Sequence, residues 1–415
     1  MITLVEALNF RSLRYIRQPL GGFHVLVGPN ASGKTTFLDV AAFLGRFVSD
    51  GLEAAVHERT SNFQDLVWRR EGRDFELAIE ATIPEARRQL LANKELDTIR
   101  YEVSLGLNPQ TDEMSIFTER TILKTASIIA VPQRSLFPSL ETTPRTILSP
   151  KSAKGTKTVV NKVRDGNDNF YDETGKGWDH SFKLGPLKSA LGNLPEDESR
   201  FPVSTWLKSF LVNGLQQIVL NSLLIRKASP PGQIRGFKSD GSNLPWVIAD
   251  LEKKDPEKLK EWISHLQTAL PDVRGVRTVE RPDDRHRYMV LIYKDGLEVP
   301  SWMASDGTLR LLALTLPAYL SDFKGAYLIE EPENGIHPRA VETLFQSLSS
   351  VYDAQILLAT HSPVILSIVK ADDVLCFAKT KEGATDIVIG SKHPALREWR
   401  GEENLGVIFA AGVLG

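Results

Sequence analysis

The segment Gly28-Pro-Asn-Ala-Ser-Gly-Lys-Thr-Thr36 carries the clearest chemistry in the chain. It satisfies G-x-x-x-x-G-K-[ST] at every fixed position. A glycine-rich turn between a strand and a helix points consecutive backbone N–H groups into one concavity. The helix N-terminus adds partial positive charge, so the turn suits a phosphate. Gly28, Asn30, Ala31, Ser32, Gly33, Lys34, Thr35 and Thr36 are the candidate nucleotide-binding residues. Lys34 is placed to reach the β- and γ-phosphates, and the Thr35 hydroxyl to ligate Mg²⁺. The elements that must hold this loop are legible beside it. The apolar run Phe23–Val27 reads as a buried strand, and Thr35–Val48 as a helix.

The second half of the chain supplies acids. Ala326-Tyr-Leu-Ile-Glu330-Glu331 is an apolar strand that ends in two carboxylates. In a parallel sheet they stand at the carboxyl edge. Glu330 is the candidate Mg²⁺ residue. Glu331 is the candidate that orients or deprotonates a water. A further apolar strand, Gln355–Thr360, ends at His361-Ser-Pro, whose imidazole suits a γ-phosphate or that water. Ser305-Asp-Gly-Thr308 precedes a Leu-rich helical run, Leu309–Tyr319, which Pro317 ends or kinks. A Ser and a Gly opening a helix form another anion site, Ser305 and Gly307.

Taken in order, these four elements resemble the ATP-binding-cassette ATPases. Gly28–Thr36 is similar to Walker A, Ser305–Thr308 to the signature motif, Tyr327–Glu331 to Walker B with a following D-loop at Glu333–His337, and His361 to the switch histidine. The resemblance is closer to the branch of RecF, Rad50 and the overcoming-lysogenisation-defect proteins. That branch includes predicted AAA-family ATPases of bacterial antiviral defence. Leu8-Asn-Phe-Arg-Ser-Leu13 and Ser305-Asp-Gly-Thr-Leu-Arg310 match its patterns. The expected fold is α/β: an ABC-ATPase head with a P-loop parallel-sheet core, an antiparallel β patch and a helical lobe bearing the signature.

The resemblance implies ATP and Mg²⁺ as ligands. It also implies an ATP-sandwiched homodimer or higher oligomer, two subunits meeting head to tail so that Ser305 and Gly307 of one face the Walker motifs of the other. Departures from the pattern are Glu330 in place of the more common Asp, and the form Ala304-Ser-Asp-Gly-Thr308 of the signature. Asp306 would repel a γ-phosphate, so its side chain is expected to point away. Gln133 is the expected Q-loop residue, as nucleotide and metal ligand, with Gln64 as the weaker candidate.

Around these motifs, Met1–Gln18 reads as a strand pair. Asp65–Arg70 and Phe75–Thr82 read as a hairpin around Glu71-Gly72, and Arg100–Leu107 as a third strand. Trp206–Ile225 reads as one helix. Leu244–Leu270 reads as two helices broken at Asp255-Pro256. Val276–Glu280 and Tyr288–Tyr293 read as strands, and Pro338–Tyr352 as an amphipathic helix. A single head over 1–415 is expected. It comprises a Walker A lobe at 1–137, a flexible basic insertion at 138–204, a helical signature lobe at 205–320, and Walker B, the switch and the rest of the core at 321–415. No sustained heptads, Cys-x-x-Cys pair or internal repeat appears.

With 50 basic and 52 acidic residues, the composition carries no global nucleic-acid signature. Residues 142–164 hold Arg145, Lys151, Lys154, Lys157, Lys162 and Arg164 without an acid. This window is either a loop that grips DNA or RNA phosphates or a solvated linker. Arg281, Arg285 and Arg287 are diluted by Asp283 and Asp284. Cys376, the one cysteine, lies in the apolar run Val374–Ala378 and reads as core. No apolar stretch is long enough for a membrane span, so a cytoplasmic protein with no membrane partner is expected. A fused Toprim-type nuclease, which needs on the order of 100 residues, is not expected after His361. The leading expectation is an ATPase whose ATP-dependent dimerisation regulates a separate effector, such as a nuclease, in antiviral defence. A DNA-repair ATPase acting on nucleic acid is the alternative, and a transporter nucleotide-binding subunit the third.

Overall fold

The computed structural model describes residues 1–126, 143–150, 154–175, 177, 179–233, 236–321 and 323–393. In chain order the strands are β1 (Ile2–Phe10), β2 (Leu13–Pro19), β3 (Phe23–Val27), β4 (Asp74–Thr82), β5 (Thr98–Leu107) and β6 (Met114–Lys124). β7 (Thr156–Val163), β8 (Asp168–Phe170), β9 (His180–Phe182), β10 (Leu215–Ile218), β11 (Val273–Glu280) and β12 (Arg287–Tyr293) follow. The last are β13 (Glu298–Pro300), β14 (Ala326–Glu330), β15 (Gln355–Ala359), β16 (Val374–Lys379) and β17 (Thr385–Ile389). The helices are α1 (Lys34–Asp50), α2 (Leu52–His57), α3 (Glu85–Arg88), α4 (Pro202–Asn213) and α5 (Ser222–Ile225). After them come α6 (Leu244–Lys254), α7 (Pro256–Ala269), α8 (Asp306–Thr315), α9 (Pro338–Ser349) and α10 (Pro363–Ile368).

The chain forms two compact units. The first comprises Met1–Gly21, Pro29–Leu215 and Phe377–Ile387; the second comprises Gly22–Gly28, Gln216–Cys376 and, of the described residues after them, 388–393. The second unit therefore takes in both 216–320 and the Walker B region. The boundary expected at 320/321 does not separate them, because their helices share one core. Trp262, Leu309, Leu312, Leu344, Tyr327 and Ile329 are buried together. Thr315 of α8 ties α7 to α9: the Trp262 indole donates to its hydroxyl at 2.9 Å, and the Ser347 hydroxyl donates to its carbonyl at 2.8 Å.

In the first unit one sheet runs β2-β1-β4-β5-β6-β7-β8-β9. Strand β5 shows why it can be buried on both faces. Ile99, Tyr101, Val103 and Leu105 alternate with Arg100, Glu102 and Ser104, and all are buried. The apolar face belongs to a core in which Phe75 meets Phe10 at 5.0 Å, Phe43 at 5.7 Å and Phe63 at 5.5 Å between ring centroids. Helix α1 contributes Phe37, Leu38, Ala41, Leu44 and Val48 at helical spacing. The charged face stays buried because its ions are paired. Arg100 reaches Glu102 at 2.7 Å, Glu6 at 2.9 Å and Glu80 at 3.2 Å. The backbone of 147–149 closes over this ladder. Ile147 N–H donates to Glu76 at 2.7 Å, Ser149 N–H to Glu102 at 3.0 Å, and Arg100 donates to the Ile147 carbonyl at 2.8 Å.

Three expectations are corrected here. The stretch 138–204, expected as a flexible basic insertion, carries regular structure where it is described. β7, β8 and β9 extend the sheet, and Val159, Val160 and Phe170 are buried. Polar anchors take the place of apolar periodicity: Lys162 pairs with Asp168 at 2.7 Å, and Glu173 accepts from Val203 and Ser204 N–H at 2.6 and 2.9 Å. Asp65–Arg70 is not a hairpin arm. Two 3₁₀ turns, Phe63–Leu66 and Trp68–Arg70, occupy it, and Arg69 and Arg70 take φ of 52° and 59°. Trp206–Ile225 is not one helix either. α4 stops at Gly214, β10 follows, and the Asn221 side chain caps α5 by accepting from Leu223 and Leu224 N–H.

Several other expected elements are present. α6 and α7 break at Asp255, whose carboxylate accepts from Lys258 N–H. β11 and β12 pair antiparallel, with β13 beside β12. α8 passes at Pro317 into a 3₁₀ turn, Leu316–Tyr319. Among the described residues no helix is long and apolar enough to cross a membrane.

Candidate nucleotide site

The sheet of the second unit brings three strand ends together. β14 pairs with β15 and β15 with β3, all parallel, in the register Glu330↔Ala359 and Ala359↔Leu26. Two further bonds continue this register past the strands. Glu331 N–H donates to the Ala359 carbonyl at 2.8 Å, and Thr360 N–H to the Leu26 carbonyl at 3.1 Å. Glu330–Glu331, Thr360–His361 and Val27–Gly28 therefore leave the sheet at one carboxyl edge, where open α/β sheets bind ligands.

From Gly28 the chain enters the loop. Gly28, Ala31 and Gly33 take φ of 148°, 62° and 107°. Ser32 N–H donates to the Pro29 carbonyl at 3.2 Å, and Phe37 N–H to Gly33 at 2.8 Å as α1 begins. The Lys34 ammonium donates to the Pro29 carbonyl at 3.0 Å, folding its stem across the loop. Pro29, Asn30, Ala31 and Thr35 are exposed, whereas Ser32, Lys34 and Thr36 are buried. The Ser32 hydroxyl has no hydrogen-bond partner among the described residues although it is buried. An orphaned donor in a loop of positive-φ residues at a helix N-terminus fits an anion.

Glu330 is half-buried at the end of β14, and Glu331 is exposed. Glu331 holds φ at 45°, a costly conformation for a residue with a Cβ. Its carboxylate accepts from the Asn334 amide. Glu333 was not singled out by the sequence beyond its place in the D-loop. One of its oxygens accepts from the Thr360 hydroxyl at 2.6 Å and from His361 N–H at 3.0 Å. The other is buried with no partner among the described residues.

Ser305 caps α8: its hydroxyl accepts from Thr308 N–H at 3.1 Å and lies 2.8 Å from the Thr308 hydroxyl. A Cβ on Gly307 would stand 2.6 Å from the Gly335 carbonyl, so the start of α8 packs on the loop that follows Glu331. Asp306 is engaged by Arg226 at 2.6 Å, a partner with no local signal in the sequence. Gln133 and Lys151 lie outside the described residues. Gln64 sits in the 3₁₀ turn Phe63–Leu66.

Of the basic window, Lys162 is buried on Asp168 and the Gly185 carbonyl, Lys157 donates to the Asp172 carbonyl, and Arg164 stacks over Phe117 at 5.0 Å. Lys162 therefore offers nothing to a nucleic acid. Glu280 pairs with Arg285 and Arg287, and Asp284 with Arg281. Cys376 is core, its thiol pushed up to about 12 by burial.

A loop turns from a parallel strand into a helix, and the acids end the next strand but one, which is the layout of a P-loop head. The solved structures agree. The chain is similar to an SMC head bound to the C-terminal winged-helix domain of ScpA, at 15% identity, TM-score 0.54, covering 93% of this chain and 96% of that one. It is also similar to an SMC head with an extended coiled coil bound to the C-terminal domain of ScpA, derived from Pyrococcus furiosus, at 13% identity, TM-score 0.50, covering 93% and 95%. These likenesses give the fold, that of SMC heads. Residues 23–367 match the family described as "AAA domain, putative AbiEii toxin, Type IV TA system", and the chain belongs to that family of AAA-domain proteins. No curated protein matches the chain.

Proposed function

We propose that the chain binds and hydrolyses ATP with Mg²⁺, and that ATP-dependent dimerisation of the heads regulates a separate effector. The observation that carries this reading is the shared carboxyl edge of β14, β15 and β3, from which the acid pair, His361 and the phosphate loop all depart. The backbone N–H groups of 28–36 bind phosphate, and Lys34 neutralises its charge. Thr35 and Glu330 would hold Mg²⁺, which supplies charge neutralisation at the phosphates. Glu331 orients a water and takes its proton, and His361 bonds the terminal phosphate. Ser305 and Gly307 offer a second cradle to a neighbouring subunit's nucleotide.

A protein partner is in keeping with the SMC heads solved with ScpA bound. A role in antiviral defence, with a nuclease as effector and the cytoplasm as its place, extends from the toxin–antitoxin description of the family. The experiment is ATP titration and turnover in the wild type, Lys34→Ala and Glu331→Gln. Lys34→Ala should weaken ATP binding by more than roughly tenfold. Glu331→Gln should bind ATP normally, lose turnover by about a hundredfold or more, and elute as a dimer with ATP. Unchanged affinity in the first variant, or wild-type turnover in the second, overturns the reading.

A further inference from the structure

We propose that Thr385 is a positioning residue for the phosphate loop, an inference that rests on the ATP-binding reading above. Thr385 opens β17 and is 4% exposed. Its hydroxyl donates to the Ser32 carbonyl at 2.9 Å. Thr385 N–H donates to the Ser12 carbonyl at 3.0 Å, in the turn between β1 and β2, and the two hydroxyls lie 3.1 Å apart. A hydroxyl has one proton to give. With that proton on Ser32, the second bond takes its proton from Ser12.

The geometry fixes one peptide plane. In a trans peptide the C=O and the following N–H point in opposite directions. Thr385 holds the Ser32 carbonyl on its own side, so the Gly33 N–H is turned to the opposite face of the loop. Thr385 also fills the space beside Gly33. A Cβ there would collide with the Thr385 hydroxyl oxygen and stand 3.0 Å from the Ser12 one. Two segments distant from the loop in sequence, the turn at Ser12 and the start of β17, thus set the orientation of one donor of the anion cradle.

The test is calorimetric titration of the full chain with ATP and Mg²⁺, beside steady-state turnover. Thr385→Val keeps the shape and removes the hydroxyl. Its Kd and KM for ATP should rise about tenfold, the scale of one lost hydrogen bond that orients a donor, while kcat stays within about twofold. Thr385→Ser should restore affinity to within about twofold of wild type. Wild-type affinity in the Val variant, or an equal loss in the Ser variant, overturns the proposal. If the Val variant does not fold, Ser12→Ala serves: weaker ATP binding supports the proposal and unchanged binding overturns it. A wild-type chain that binds no ATP overturns the underlying reading instead.

Discussion

Glu333 holds the turn that carries His361: one carboxylate oxygen accepts from the His361 backbone N–H at 3.0 Å and from the neighbouring Thr360 hydroxyl at 2.6 Å. The turn after β15 is thereby fastened to the loop after β14. On the proposed reading the His361 imidazole meets a phosphate or a water, and that requires its backbone to be placed before substrate arrives.

Glu333→Ala should lower kcat for ATP hydrolysis by on the order of tenfold to a hundredfold and leave ATP affinity nearly unchanged. Glu333→Gln retains an oxygen able to accept both bonds, so it should keep most of the activity. A dead Gln variant would show that the charge itself, rather than the anchoring, is what the site requires. Turnover and titration of the two variants decide between them.

The lysines of 142–164 should separate into two kinds. Lys162→Ala strands Asp168, which is 1% exposed, and should cost about 3–5 kcal/mol of stability in a urea unfolding curve. Lys154→Ala, at an exposed position, should leave the midpoint within error. If DNA binding is measured, Lys154 is the residue whose loss should flatten the salt dependence. A Lys162→Ala chain with the wild-type midpoint would contradict the structural role.

Ser305 should act in trans. Ser305→Arg removes a helix cap, a cost of about 1 kcal/mol that leaves the fold in place. It should preserve ATP binding by the monomer while blocking dimerisation and turnover. Mixed with Lys34→Ala chains, it should recover part of the ATPase activity, because one composite site in each mixed dimer is intact. Mixed dimers that form and show no activity would count against the head-to-tail arrangement.

The parts legible in the sequence are those whose signals are local. Phe23–Val27, Ala326–Glu331 and Gln355–Thr360 are short apolar runs that end in chemistry, and each is a strand to within its last residue. The break at Asp255-Pro256 is likewise a local matter of capping and a missing N–H. What escaped reading depends on partners that no local pattern marks. The buried Lys162–Asp168 pair ties β7 to β8 where an alternating apolar pattern is lacking. Asp306 is matched by Arg226, 80 positions away. Thr385 reaches Ser32 across 353 positions, and nothing around either residue announces the bond. The hairpin expected at Asp65–Arg70 failed because apolar spacing there also fits two 3₁₀ turns, and the left-handed Arg69 and Arg70 exclude an extended strand.

The path of the chain limits how the molecule can be taken apart. The first unit is assembled from three stretches, and Phe377–Ile387 returns to it after the long passage Gln216–Cys376. Any one scission leaves at least one half short of a piece. A gene product stopped before Phe377 would lose Thr385 and the edge beyond Cys376. Dissection by truncation, or exchange of a nucleotide module between relatives at one junction, will therefore give broken proteins rather than separable activities. Tags and tethers belong instead in a turn such as Lys294–Leu297, which is exposed throughout and joins two neighbouring strands of one sheet.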